Sequence, residues 1–488
     1  MTKVLVAATP VSGHHGPLLR IASHLAAAGH EVVFLGGARF AEQVRAAGPE
    51  FRALPEEADY DDRDFSARFP ERAHVPAGPA QTMWDVMHVF GDPTPHQHRA
   101  LQEILADFPA TAVLYDNLFF GGVALSLADA PDRRPTTYSV GISPLGVESR
   151  DTAPHVLGLL PPVDDAQRAE YAAVAARMAE QRAPLLTHLR ACFDAAGAPL
   201  PEGPLGRTLT DSADVFLQLT VPGFEYPRSD QPAGVRFVGA IPIPAADGQR
   251  RPAWWPELER ARAAGRRIVV TTQGTLANTE LNRLVVPTVR ALADRPDVLV
   301  VAATGRPDAA EQCAAALAPA PVPGNAIVAG FVPFAELLPL ADLLVTNGGY
   351  GGTQAALAHG VPLVVAGDTE DKPEVAARVE WTGTGVNLRT ADPSDPVLRE
   401  AVDTVLDTPT YRERATALAK EYAAHDALAL IDELVSAPDR SRGPRGRTLP
   451  AKLPGGVGRD RTVGPRAACS RPPHRTGSPG TPCRTGEQ

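Results

Sequence analysis

Four glycines stand within five positions in Asn347-Gly-Gly-Tyr-Gly-Gly-Thr353, at Gly348, Gly349, Gly351 and Gly352. Asp342 to Thr346 reads as a strand leading into them, with a helix beginning near Thr353 and running through Gln354 to His359. Bare amide N–H groups beside a helix N-terminus make a phosphate cradle, and glycine admits the close approach that a side chain would block. The plain alternative is a tight strand–helix turn. A second group is Gly13-His14-His15-Gly16-Pro17, between the first strand and the first helix, together with Asp116 at the C-terminal end of another strand. Imidazole is both neutral and basic near pH 7, and a carboxylate on its other nitrogen would hold the tautomer. Taken on residue type alone, each of these groups could equally be a helix cap.

Around the glycines the chain resembles a known family. Gly330-Phe-Val-Pro-Phe334, Ala341-Asp342, Asn347 to Thr353, Ala356-Leu357, His359-Gly-Val-Pro362, Glu370-Asp-Lys372 and Arg378-Val379 are similar to the donor-binding signature of family 1 glycosyltransferases. These are the UDP-glycosyltransferase-like enzymes of GT-B fold, whose bacterial members often decorate natural products. The resemblance covers about residues 1–435. It implies two Rossmann-like parallel-sheet domains facing a cleft. It also implies inverting, metal-independent transfer of a hexose or deoxyhexose from a UDP- or dTDP-sugar to a hydroxyl of a small apolar acceptor. Gly13-His14 resembles the family's G-H-x-x-P, which makes His14 the general base, with His15 second and Asp116 its partner; Asp92 is a weaker candidate for that partner.

The same resemblance assigns the donor side. Phe331, with Val332, stands where an aromatic ring meets the nucleotide base. Gln273, Gly274 and Thr275 stand where a small residue touches phosphate. Gly348, Gly349, Gly351, Gly352 and Thr353 hold the diphosphate, and Asp371 and Lys372 stand at the sugar hydroxyls. Three departures are visible. Asn347 replaces a histidine, so leaving-group stabilisation falls more on backbone amides. Ala355 replaces a glutamate that binds ribose in many UDP-sugar users, which makes a dTDP-deoxysugar at least as plausible a donor. Lys372 replaces a glutamine and leaves the sugar open. Met83, Trp84, Met87 and Phe90, with the loop from Val147 to Pro162, fall where the family forms its acceptor pocket. Met and Trp at helical spacing equally suit plain core.

These residues need elements to position them. Strand Val4–Ala7, helix Leu18–Ala28 and strand Glu31–Leu35 form a βαβ unit, and Ala112–Asp116 and Thr136–Gly141 extend the same parallel sheet. Ala166 to Ala196 reads as one helix, followed by a strand at Asp214–Leu219. Pro and Gly crowd residues 222–256, and the α/β alternation then restarts with strands at Arg267–Thr272, Val298–Ala303, Ala326–Ala329 and Leu363–Ala366. The expected division is an N-terminal acceptor domain at 1–222, a linker at 223–256, a nucleotide-sugar domain at 257–410 and a closing helix at 411–436. A basic, disordered Gly/Pro/Arg tail at 437–488 completes it.

Composition sets limits. The net charge is −10, yet the tail from Ala437 holds 11 Lys/Arg against 3 Asp/Glu, so +8 there leaves −18 on the rest. An acidic body argues against nucleic-acid binding. No apolar run approaches the ~18 residues of a membrane span, and the N-terminus lacks the basic start of a signal peptide. The 4 cysteines are far apart without CxxC spacing, so neither a disulfide framework nor a zinc site is expected. Asp59-Tyr-Asp61 matches D-x-D but has no phosphate-binding context, and His96 and His98 have the wrong company for a metal. The expectation is a cytoplasmic monomer or homodimer with no cofactor beyond its donor. Competing readings are a noncatalytic sugar-nucleotide-binding paralogue, a GT-B epimerase or phosphorylase, and a transferase to a lipid or cell-wall acceptor.

Overall fold

The computed structural model describes residues 1–76, 78–243, 251–274, 280–306 and 308–437. Thr275, part of the expected linker and all but the first residue of the basic tail lie outside them. The N-terminal sheet comprises β1 (Lys3–Ala7), β2 (Glu31–Gly36), β3 (Glu50–Ala53), β4 (Ala112–Asp116), β5 (Thr136–Gly141), β6 (Val215–Gln218) and β7 (Val235–Phe237). Its order is β3-β2-β1-β4-β5-β6-β7, parallel throughout. The C-terminal sheet comprises β8 (Arg267–Thr272), β9 (Val298–Ala303), β10 (Ala326–Ala329), β11 (Leu343–Thr346), β12 (Leu363–Val365) and β13 (Gly385–Asn387). Its order is β10-β9-β8-β11-β12-β13, again parallel.

Helices cover both faces of each sheet, so the central strands are apolar on both sides. Val4 to Ala8 and Val298 to Val301 are wholly buried. In each sheet the chain reverses direction beside the first strand. That places a crevice between the C-terminal ends of β1 and β4, and another between those of β8 and β11. The paired registers Ala7 with Tyr115 and Thr272 with Thr346 bring the four loops that follow into two neighbouring pairs.

Several boundaries differ from expectation. β7 falls inside the expected linker, because Val235 and Phe237 pack beside Phe216 and complete the first sheet. The long helix at 166–196 is two helices, Asp165–Gln181 and Ala183–Ala195, with Pro184 starting the second, where its missing N–H costs nothing. β3 escapes sequence reading because it is an edge strand with three exposed residues in four. The closing helix is also two, Pro409–Ala423 and Ala427–Ser436. The first packs Ala415, Leu418 and Tyr422 into the C-terminal core, while the second returns to the N-terminal half with Ala427, Ile431 and Val435. There the Tyr138 hydroxyl donates to the Leu434 carbonyl at 2.9 Å, and His30 bonds Asp432 at 2.9 Å.

Buried polar bonds join the halves. Gln218 Nε2 donates to the Tyr350 hydroxyl at 2.8 Å, and the Thr220 hydroxyl to Gln354 Oε1 at 2.6 Å. Arg378 donates to Glu225 at 3.0 Å and to Glu374 at 2.9 Å. No helix among the described residues is long and apolar enough to cross a membrane.

Candidate active site

At the crevice between β1 and β4, His14 occupies the first turn of the helix Ser12–Ala27. Its Nδ1 lies 2.8 Å from Asp116 Oδ1. Asp116 is the last residue of β4 and 0% exposed. Its carboxylate also accepts the Thr9 N–H at 2.7 Å, the Thr9 hydroxyl at 3.3 Å and the Leu118 N–H at 3.1 Å. A carboxylate held this way only accepts, so Nδ1 carries the proton and Nε2 is left as the basic nitrogen. Capping does not explain His14, because the N-cap Val11 has no side-chain bond and the Ser12 N–H is taken by Asp62 at 2.7 Å. Phe90 stacks on the His14 ring at 5.6 Å and 26°. Gly13 is exposed beside it with open space where a Cβ would stand.

His15 turns the other way. It is buried, stacked on Phe40 at 3.8 Å and edge-on to Phe34, with neither ring nitrogen hydrogen-bonded. Burial, aided by the charge of Arg39, pushes it down to about 4. It is a neutral core residue, and the second-choice base is thereby eliminated. Asp92, the weaker partner candidate, bonds His88 at 2.9 Å and His188 at 2.6 Å instead of His14.

Across the second crevice, β11 ends at Thr346 and a helix starts at Tyr350, three residues earlier than expected. Gly351 and Gly352 therefore lie in its first turn, exposed, and a methyl added at either would have nothing within 4 Å. The first-turn amides of a helix have no partner within it, so those of Tyr350 to Gly352 form an anion-binding mouth. Gly348 has φ +87°, and a Cβ there would meet Val365 Cγ1 at 2.7 Å. Gly349 is the N-cap.

Thr353 does not join the cradle as expected. Its side chain is fully buried, and its N–H already donates to the Gly349 carbonyl at 3.0 Å. Asn347 Nδ2 donates to the Gln273 carbonyl at 2.7 Å, which ties the loop after β11 to the loop after β8. Gln273 itself is buried, and its Oε1 accepts the Leu284 and Val285 N–H groups at 3.2 and 3.1 Å. Its side chain thus serves as a helix cap and not as a phosphate contact. Gly274 follows with φ +76°. Phe331, just past β10, is 67% exposed, a free aromatic face at the sheet's C-terminal edge, while Val332 packs on the core.

Asp371 precedes the helix Lys372–Thr382 and is partly accessible. Burial pushes its carboxyl up to about 6. The neighbouring Glu370 adds to the rise, while the charges of Lys372 and His14 oppose it. Lys372, expected at the sugar hydroxyls, presents no free ammonium. It is buried, and its ammonium is bonded to the Glu370 carboxylate and to the Thr369 hydroxyl at 3.3 Å.

The acceptor-side residues divide. Phe90 reaches His14. Met83 and Met87 pack half-buried against the N-terminal core, the plain alternative. Trp84 lines a separate cavity of about 360 Å³ with Tyr60, Phe69 and His88. The expected acceptor loop instead docks on the donor half: the Gly158 N–H donates to Glu374 Oε1 at 2.9 Å. Of the D-x-D residues, Asp61 is paired with Arg63 and Asp59 accepts the Ala38 N–H. Thr9 and the Glu225–Glu374–Arg378 group went unassigned in the sequence. Arg378 is visible in the donor signature, but nothing in sequence spacing reveals its partner Glu225.

Comparison with known proteins identifies the family. Residues 310–435 match the family model described as "Erythromycin biosynthesis protein CIII-like, C-terminal domain". The chain is 38% identical over 446 residues to UDP-glycosyltransferase 2 of Phaeomoniella chlamydospora, covering 89% of this chain and 96% of the relative. It is 39% identical over 435 residues to 4'-demethylrebeccamycin synthase of Lentzea aerocolonigenes, covering 89% and 98%. The crystal structure of the kitacinnamycin glycosyltransferase shares the fold, with TM-score 0.66, 21% identity and coverage of 89% and 98%. The chain belongs to the family 1, UDP-glycosyltransferase-like GT-B glycosyltransferases of natural-product type. It is therefore an enzyme that transfers a sugar from a nucleotide donor.

Proposed function

We propose that the enzyme transfers a hexose or deoxyhexose from a UDP- or dTDP-sugar to a hydroxyl of a small apolar acceptor, with inversion and without a metal in the transfer step. The observation that carries this is the His14–Asp116 pair at 2.8 Å in one half, with the glycine-rich helix start and Asp371 in the other. The acceptor O–H gives its proton to His14 Nε2 as its oxygen attacks the anomeric carbon from the face opposite the diphosphate. The bond from that carbon to the diphosphate oxygen breaks, and the leaving nucleotide takes the electron pair. Asp116 stabilises the imidazolium that forms. Backbone amides at Tyr350 to Gly352 receive the growing negative charge. Asp371, ionised above about pH 6, accepts sugar hydroxyls. Phe331 offers its exposed ring to the base.

UDP-glycosyltransferase 2 and 4'-demethylrebeccamycin synthase support the nucleotide-sugar and natural-product parts of this reading. Ala355 is buried in the C-terminal core and offers no carboxylate to a ribose, which favours a deoxyribose donor. A noncatalytic sugar-nucleotide binder has no use for a buried carboxylate aimed at an imidazole, so the intact pair argues against that alternative.

The test is His14→Ala and Asp116→Asn, assayed with a UDP- and dTDP-sugar panel in excess chelator. General-base loss should lower kcat about 10²–10⁴-fold, while nucleotide binding, read by thermal shift, stays within twofold. Parallel loss of kcat and nucleotide affinity would show that His14 only supports the fold. Dependence on added Mg²⁺ would overturn the metal-free step, and strict preference for UDP-glucose would overturn the deoxyribose preference.

A further inference from the structure

Outside the transfer site, four side chains of metal-ligand type converge from two elements. His88 lies in the π-helical turn Val86–Gly91, and Asp92 follows that turn directly. His188 and Cys192 lie one turn apart on the helix Ala183–Ala195, which packs against it. His88 Nδ1 is 2.9 Å from Asp92 Oδ2, and His188 Nε2 is 2.6 Å from Asp92 Oδ1. One ligand atom from each of these three residues falls within 4.8 Å of the others. The Cys192 thiol points at the same carboxylate, its sulfur 3.9 Å from Asp92 Oδ1. The histidine rings meet edge to face at 5.1 Å.

We infer that His88, Asp92 and His188, with Cys192 as the fourth donor, form a binding site for a zinc-like divalent cation. The donor set decides the class. Two imidazole nitrogens, one carboxylate and one thiol suit Zn²⁺ or Co²⁺, and not Mg²⁺ or Ca²⁺, which prefer all-oxygen shells. His88, Asp92 and His188 are already gathered, while the Cys192 sulfur lies beside the Asp92 carboxylate and must draw closer to complete the set. Sequence spacing hides the site, since about 100 residues separate the two pairs and neither is a CxxC.

The placement says what the ion would do. Phe90, which stacks on His14, sits midway between His88 and Asp92 in the chain. Two residues around a π-helical turn point to nearly opposite sides. The ion would clamp the outer side of the turn whose inner side carries Phe90, fixing the acceptor wall without touching donor or acceptor. It is a structural ion, distinct from the transfer step.

The test uses the full, untagged chain. Zn²⁺ is titrated in competition with a chromogenic chelator, and Co²⁺ is followed by its visible and near-ultraviolet absorption. Wild type should bind one Zn²⁺ more than the His88→Ala/His188→Ala double variant. Each single histidine variant should lose at least tenfold in affinity, and excess Mg²⁺ should not compete. The Co²⁺ complex should show intense tetrahedral bands and a thiolate-to-cobalt band that Cys192→Ser removes while binding persists. Asp92→Asn, which keeps the shape, guards against misfolding of the double variant; both are checked by nucleotide-induced thermal shift. Equal stoichiometry and affinity in wild type, the double variant and Asp92→Asn would overturn the site. Binding is read without substrate, so failure here leaves the proposed transfer chemistry untouched, and the reverse holds as well.

Discussion

Two adjacent histidines have opposite environments because helical geometry turns neighbours about 100° apart. His14 faces the crevice and Asp116, whereas His15 faces Phe34 and Phe40. The fold keeps His15 uncharged, which has a consequence for pH. Its ordinary value is 6.5, and burial lowers it to about 4 in the folded protein. Between those values the unfolded chain binds a proton that the folded chain refuses. The stability from this site is therefore complete above pH 6.5 and is lost as pH falls towards 4. At about 1.4 kcal/mol per pH unit the loss is about 3 kcal/mol. Thermal melts from pH 7 to pH 4 should show the decline, and His15→Leu should flatten that part of the curve even if it melts lower throughout. An unchanged slope in the variant would assign the acid sensitivity to other groups. The resemblance picked out His14 before His15, but only the fold explains why: the Gly-His-His string carries no mark of which ring faces inward.

At the scale of elements, the cradle was legible because its signal is local, four glycines between an apolar strand and a helix. Its finer division was not. The resemblance put Thr353 in the phosphate site, but the helix begins at Tyr350, so the Thr353 side chain is buried while Gly351 and Gly352 are exposed in the first turn. The sequence shows where glycines lie, and only backbone angles show what each is for. Gly348→Ala should cost about 1–2 kcal/mol of stability, because φ is +87° and the new methyl meets Val365. Gly352→Ala should behave oppositely, since its Cβ meets nothing and its backbone is helical. Alanine there should raise stability by about 0.5–1 kcal/mol, yet raise the donor KM about tenfold by shielding the amides. Melting curves and donor titrations on both variants separate the two effects. Wild-type nucleotide affinity in Gly352→Ala would move the diphosphate away from this helix. Gln273 and Lys372 are missed for a related reason. Each occupies a family position, but its side chain is spent on a helix cap or on Glu370, partners that alignment along the chain does not display.

At the scale of the molecule, the two-domain plan was readable from the restart of α/β alternation, but the joint between the halves was not, because its bonds span long stretches of chain. Arg378 is its centre. It donates to Glu374 one turn away, and to Glu225 and the Leu145 carbonyl from the N-terminal side, and its guanidinium lies 4.4 Å from the Tyr226 ring centroid. Burial pushes the Glu225 carboxyl up, but the charges of Arg378 and Arg228 outweigh it, so the group ends below its ordinary value and stays ionised. Removing the guanidinium leaves Glu225 with Arg228 as its one cation and Glu374 with His155 and the Gly158 N–H, and breaking a buried pair from one side typically costs about 3–5 kcal/mol. Arg378→Leu should lose that much stability by denaturant titration. The Gly158 loop rests on Glu374, and the helix carrying Glu374 begins beside Asp371. Slackening the joint should therefore lower kcat more than nucleotide affinity, because acceptor and donor groups sit in different halves. Adding Glu225→Gln and Glu374→Gln to Arg378→Leu removes both carboxylates, though it also takes the carboxylate partner from Arg228, and should restore part of the stability, but not kcat. If the triple variant regains both, the network holds the fold together without setting the distance between His14 and the bound sugar. If it regains stability alone, the same residues fix the alignment of the two crevices.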